Sequence, residues 1–206
     1  GLSLVSIEGA RQNLEKEMIR PFRWDFEACV NNARQTWNSL LGKIKVEGGK
    51  EQDKRKFYTN LYRAYAGKQT CNDIDGKYRD ACENIQQLKP GQAMYGGDAF
   101  WNSYWNLNGL WSIVSPEIID NWVTTQLEMY RHTGWTSKGP AGIEYSGIME
   151  GSHEVALMVA AYQKKIRKDG DAIYEAVHKM VTNPGGEHPC GGTYGQIDLD
   201  AYAPVS

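Results

Sequence analysis

The stretch Ile143-Glu144-Tyr145-Ser146-Gly147-Ile148-Met149-Glu150-Gly151-Ser152-His153-Glu154 sets three carboxylates and a histidine just ahead of a segment with helical periodicity. Free backbone N–H groups at a helix N-terminus favour oxygen-rich ligands, so these side chains are candidates for hydrogen bonding or proton transfer to a ligand. Glu154 is equally suited to a plain first-turn charge, and His153 to packing or capping. Earlier in the chain, Cys71-Asn72-Asp73-Ile74-Asp75-Gly76-Lys77-Tyr78-Arg79-Asp80 resembles a calcium loop superficially. It lacks the EF-hand spacing with a bidentate Glu at the twelfth position, and it reads better as an acidic turn anchored by Arg79. Trp101-Asn102 pairs an indole with an amide, which suits stacking on a sugar ring while bonding its hydroxyls, although a helical core uses the same Trp. No GxSxG, P-loop, dinucleotide glycine motif or HExxH occurs, which leaves serine hydrolase, NTPase and zincin chemistry without support.

The charge balance narrows the partner. The 23 basic residues nearly cancel the 25 acidic ones and no long block of like charge occurs, so there is no electrostatic footprint for nucleic acid or anionic membrane. No apolar run approaches the length of a membrane span, and no signal peptide is visible. The 7 Trp and 12 Tyr dominate the aromatics, and rings with a polar tip suit half-wet surfaces such as a sugar face. Cys29, Cys71, Cys82 and Cys190 show no CxxC or Cys/His metal spacing; one disulfide or inert buried thiols are both compatible with them.

These residues need elements to hold them. Ser3 to Ile7 alternates and predicts a strand, and Ile7, Ala10, Leu14 and Met18 then recur at helical spacing up to Pro21. Asp25 to Leu41 predicts a helix with Gly42 as its C′ residue, and Lys43 to Glu47 a short strand. Further helices are predicted near Asp53 to Ala66, near Asp98 to Val114, from Pro116 with Ser115 as N-cap, after Ser152, and after Asp171. The connections between them alternate: long at 67–97, minimal at Ser115, long at 132–151, minimal at Asp169-Gly170, long from Asn183. In antiparallel hairpins this alternation gathers the long loops at one end, which is where sites are built. A mainly α architecture follows, an α/α toroid or an irregular helical bundle.

Several segments, in order, resemble glycoside hydrolase family 92, the calcium-dependent exo-acting α-mannosidases. Ser3-Leu4-Val5-Ser6-Ile7-Glu8-Gly9-Ala10-Arg11-Gln12-Asn13-Leu14 is similar to the family's exit from its N-terminal β-sandwich, and Phe57-Tyr58-Thr59-Asn60-Leu61-Tyr62 to its FYTALYH helix. Asp73-Ile74-Asp75-Gly76-Lys77-Tyr78-Arg79 resembles its DVDGxYRG loop, Ala99-Phe100-Trp101-Asn102-Ser103-Tyr104 its SLWDTYR, and Met149-Glu150-Gly151-Ser152-His153 its MxGxH.

The resemblance implies a partial (α/α)6 toroid of antiparallel helical hairpins with short β segments at the N-terminus. Residues 1–50 would be the sandwich-exit strand, linker helices and short strand, and 51–206 the first part of the catalytic barrel. It implies removal of terminal α-mannose from glycans with inversion, assisted by calcium, in a secreted, periplasmic or cell-surface bacterial protein. Inversion needs two carboxyl groups about 6.5–9.5 Å apart. The family's EGNxWQY and GNDDxGQMSAW stretches, which carry them, do not occur here, so no catalytic residue is expected in this chain and the chain alone is expected to be an inactive piece of a longer protein. Trp101, Asn102, His153 and Glu150 are the expected sugar contacts; no metal ligand is assigned. Asn102 stands where the family has Asp, and the family's LPxWE is missing after Gly134-Trp135. Faces meant for absent helices would make the piece self-associate. Two other readings remain: a non-catalytic carbohydrate-binding or structural helical module, and another toroid glycosidase with its acids among Asp73, Glu144 and Glu150.

Overall fold

A computed structural model of the chain describes residues 1–67, 69–97, 100–139, 151–197 and 199–202. Ser6 caps helix α1 (Ile7–Leu14) by accepting the Gly9 N–H at 2.9 Å. A π-helical turn (Glu15–Ile19) and α2 (Arg20–Phe22) follow, and the chain leaves them through left-handed Arg23 and Trp24. Asp25 caps α3 (Phe26–Leu41), and α4 runs over Glu51–Ala66. The predicted strand at Ser3–Ile7 does not form. Its backbone is satisfied locally, the Ser3 hydroxyl accepting the Val5 and Ser6 N–H groups and the Asn13 amide bonding the Leu2 carbonyl, so no partner strand is needed. Lys43–Glu47 is likewise not a strand: the Ile44 carbonyl and Val46 N–H are both bonded by the Tyr58 hydroxyl. Gly42 ends α3 at φ −71°, without the left-handed turn expected of it.

The strands that do form lie in the long connections. β1 (Gln69–Thr70) pairs with β4 (Tyr95–Gly96), β2 (Lys77–Arg79) with β3 (Ile85–Gln87), and β5 (Gly186–Glu187) with β6 (Thr193–Tyr194), all antiparallel. The single helix predicted near 98–114 is broken into α5 (Trp101–Tyr104) and α6 (Leu107–Val114) at Asn106, whose φ of −150° leaves the helical region. Phe100 enters left-handed and plugs its fully buried ring onto Trp122 at 4.9 Å, while the break turns α5 toward α8.

Helix α7 (Pro116–Thr133) is the axis of the packing. Trp122, Val123, Thr125 and Gln126 are completely buried, the pattern of a helix covered on most sides. Trp111 of α6, Leu157, Met158 and Ala161 of α8 (His153–Gln163) and Ile173 and Ala176 of α9 (Gly170–Thr182) complete the main core with Leu61 and Tyr65 of α4. Burying Leu61, Leu157, Met158 and Ile173 contributes roughly 1.5–3 kcal/mol each. A second cluster of Tyr78, Leu88, Met94 and Met129 seats the β2–β3 hairpin on the C-terminal half of α7. The last described element is α10 (Leu199–Tyr202).

Pro116 opens α7 as predicted, but Ser115 does not cap it. Its buried hydroxyl instead meets the Tyr65 hydroxyl and the Lys43 ammonium, each at 2.8 Å, bolting α4 and the end of α3 to the α6–α7 turn. The expected grouping of connections is met in part: the 67–97 connection also bonds the N-terminal half of α7, Asn121 accepting the Ala93 N–H at 2.9 Å, and residues 140–150 lie outside the described residues. The turns at Ser115 and 164–169 lie along the N-terminal half of α7, where Arg167 bonds Asp120 and Thr124. Parts of the long connections reach its C-terminal half: the Tyr78 hydroxyl donates to Glu128, and His188 bonds the Thr133 carbonyl at 2.9 Å. No described helix is long and apolar enough to cross a membrane.

Candidate functional site

Helices α5 and α8 bring two of the predicted contacts together. The His153 ring lies edge-on to Trp101 at 5.3 Å and stacks on Tyr104 at 4.8 Å. Gly151 makes this possible twice over: it sits at φ +78°, and a Cβ there would come within 3.1 Å of the His153 ring. His153 Nε2 is buried and has no hydrogen-bond partner among the described residues. The two flanking rings, Trp101 and Tyr104, are themselves half-exposed. Asn102 follows Trp101 on the exposed side of α5. Glu150 lies outside the described residues, as does Glu144. Tyr104 was absent from the predicted contacts, although its spacing three residues after Trp101 was the available signal.

The acids behave differently from their sequence appearance. Asp73 holds its loop in place: it accepts bonds from the Ser3 hydroxyl at 2.7 Å and the Asn13 amide at 2.8 Å, while the Asn13 oxygen accepts the Ile74 N–H, so the loop is bolted to α1. Arg79 does not anchor that turn; it pairs with exposed Glu83, and Lys77 bonds Asp75. Asp80 organises its own turn through the Cys82 and Asn84 N–H groups. A second polar network went unnoticed in the sequence. The Tyr78 hydroxyl donates to Glu128 at 2.6 Å and lies 3.2 Å from His132, which faces Asp80. Burial holds the Tyr78 hydroxyl up at about 12 and lowers the His132 pKa. The i, i+4 spacing of Glu128 and His132 was the only local trace of it.

Glu154 is completely buried rather than a first-turn surface charge. Thr136 donates to one of its oxygens at 3.2 Å and the other has no partner among the described residues. Burial therefore pushes its pKa up to about 7 from 4.5. The folded chain binds the extra proton between those values, so stability falls as pH rises from about 4.5 to about 7, by about 3 kcal/mol at ~1.36 kcal/mol per pKa unit. Glu154→Gln is expected to remove that slope and to raise the melting temperature at pH 8; melting curves with equal pH slopes for the two proteins would contradict the assignment.

Cys82 and Cys190 form a disulfide between the β2–β3 and β5–β6 turns, and Cys29 and Cys71 are free thiols. Among the described residues the only three side chains grouped closely enough to share a metal are Cys82, His188 and Cys190. Calcium takes six to eight oxygen ligands, and among the described residues no three carboxylates lie close enough to share an ion.

A family model for the glycosyl hydrolase family 92 catalytic domain matches residues 9–204. Among solved structures, the chain is similar to the family GH92 α-mannosidase BT3965 of Bacteroides thetaiotaomicron, at 23% identity and a TM-score of 0.80 over 88% of this chain and 24% of that one. The family GH92 inverting mannosidase BT2199 of the same species matches at 24% identity and a TM-score of 0.80, over 98% of this chain and 27% of that one. The GH92 glycosyl hydrolase ccman5 matches at 22% identity and a TM-score of 0.69, over 84% of this chain and 23% of that one. At these identities the likeness establishes the fold, and the chain spans about a quarter of the length of these relatives. No curated protein sequence matches.

Proposed function

The chain belongs to glycoside hydrolase family 92, and on that premise we propose that it forms part of the catalytic domain of an enzyme that removes terminal α-linked mannose from glycans with inversion and with the help of calcium. The observation that carries this reading is the receptor of Trp101, Tyr104 and His153, with its unpaired Nε2. Two ring faces cover the C–H side of a pyranose, while His153 and Asn102 bond its hydroxyls. A solved structure of BT3965 holds mannoimidazole, in keeping with a mannose-shaped ligand. We assign the general acid and the general base to other parts of the protein, since the two carboxylate-bearing stretches of the family do not occur in these 206 residues. What this chain contributes is orientation of the sugar.

In the full-length enzyme, Trp101→Ala is expected to raise KM for an α-mannoside about 10–100-fold, the loss of a stacking surface. The isolated 206 residues are expected to show no turnover. Hydrolysis of an α-mannoside by the isolated chain, or an unchanged KM in the variant, would overturn the assignment. The Cys82–Cys190 disulfide supports a location outside the cytoplasm, and the Bacteroides relatives a bacterial source. The isolated chain also leaves Trp105, Ile113 and Tyr174 largely exposed. We expect it to self-associate through such surfaces, and a monomer by light scattering at high concentration would count against that.

A further inference from the structure

Near the C-terminal end of α7, Cys82 and Cys190 hold the β2–β3 hairpin to the tail with Cα atoms 4.7 Å apart. His188 stands beside them, so that one donor atom from each of the three side chains lies within 4.8 Å of the others. The imidazole is held from both nitrogens and one face. Nε2 lies 2.9 Å from the Thr133 carbonyl, Nδ1 accepts the Cys190 N–H at 3.1 Å, and the ring stacks on Tyr194 at 4.2 Å. Those partners assign the proton to Nε2 and leave the lone pair on Nδ1, and a carbonyl on the far nitrogen is the common outer-shell arrangement at zinc sites. Two sulfurs and an imidazole select a zinc-class ion over calcium or magnesium. Gly191 and Gly192 follow Cys190 at positive φ, with nothing within 4 Å of either Cβ position.

We propose that this cluster is a redox-gated zinc site, closed while the disulfide is intact and formed when it is reduced. A dithiol reductant passes two electrons to the disulfide, becomes a disulfide itself and leaves two cysteine thiols. Zinc then binds both as thiolates with release of two protons, His188 Nδ1 gives its lone pair in place of its bond to the Cys190 N–H, and water fills the fourth position. The tail thus stays fastened to the hairpin in either redox state. The site rests on no assumption about mannose chemistry.

Cobalt(II) titrated into the chain after phosphine reduction under argon tests this. One cobalt per chain with intense thiolate-to-cobalt absorption, displaced by zinc, is expected, and the oxidised chain should give none. Cys190→Ala should abolish the band, and His188→Ala should weaken binding at least tenfold while keeping sulfur ligation. No band in the reduced chain, or equal affinity in the His188→Ala variant, overturns the proposal. If reduction unfolds the chain, zinc must restore its helical circular dichroism, and failure to do so overturns it as well.

Discussion

Trp122→Ala should cost about 3–5 kcal/mol in urea unfolding, the range for emptying an aromatic site in a packed core. Trp122 is fully buried on α7, with Phe100 at 4.9 Å and Tyr95 at 5.4 Å, both in edge-to-face contact. The substitution therefore removes the surface that holds the entry to α5 and the β4 strand. Against a whole-domain stability of roughly 5–15 kcal/mol this is a large share. The indole N–H of Trp122 has no hydrogen-bond partner among the described residues, so Trp122→Phe should cost far less. A loss below about 1 kcal/mol for the alanine variant, outside the range for emptied core sites, would remove α7 from its place as the axis of packing.

The second large effect is expected at the disulfide. Cys82 and Cys190 are 108 residues apart, so the bridge encloses α5 to α9 and removes much of the freedom of the unfolded chain. Chain-entropy reasoning gives on the order of 4.7 kcal/mol for a loop near this length, and removal of native bridges commonly costs about 2–5 kcal/mol. The Cys82→Ala/Cys190→Ala protein should lose stability in that range by urea unfolding. Hydrogen exchange is expected to quicken first at the β2–β3 and β5–β6 turns, because the bond ties these directly. A double variant as stable as the parent, with unchanged exchange in both turns, would show that noncovalent contacts such as His188 to Thr133 hold the tail by themselves.

The helices of the core were legible because their signals are local. The apolar stripes of α3, α4, α7, α8 and α9, Pro116 at the start of α7 and the alternation of short and long connections all appear within a few turns of chain, and each has its counterpart in the structure. The strands expected at Ser3–Ile7 and Lys43–Glu47 failed for the complementary reason. Alternation describes a possible strand, but a strand needs a partner, and there the Ser3, Asn13 and Tyr58 side chains supplied the hydrogen bonds instead.

The candidate site divides along the same line. Trp101 and His153 were identifiable by residue type and motif, while Tyr104 stacking on His153 awaited the break at Asn106 that turns α5. By itself the sequence determined the mainly helical class and the likeness to family 92. Tertiary structure alone decided that Ser115 bolts rather than caps, that Asp73 fastens a loop, that Glu154 is buried and that Cys82 finds Cys190. Helical periodicity is written between residues three and four apart. Burial and pairing are set by segments that meet only when the chain closes on itself.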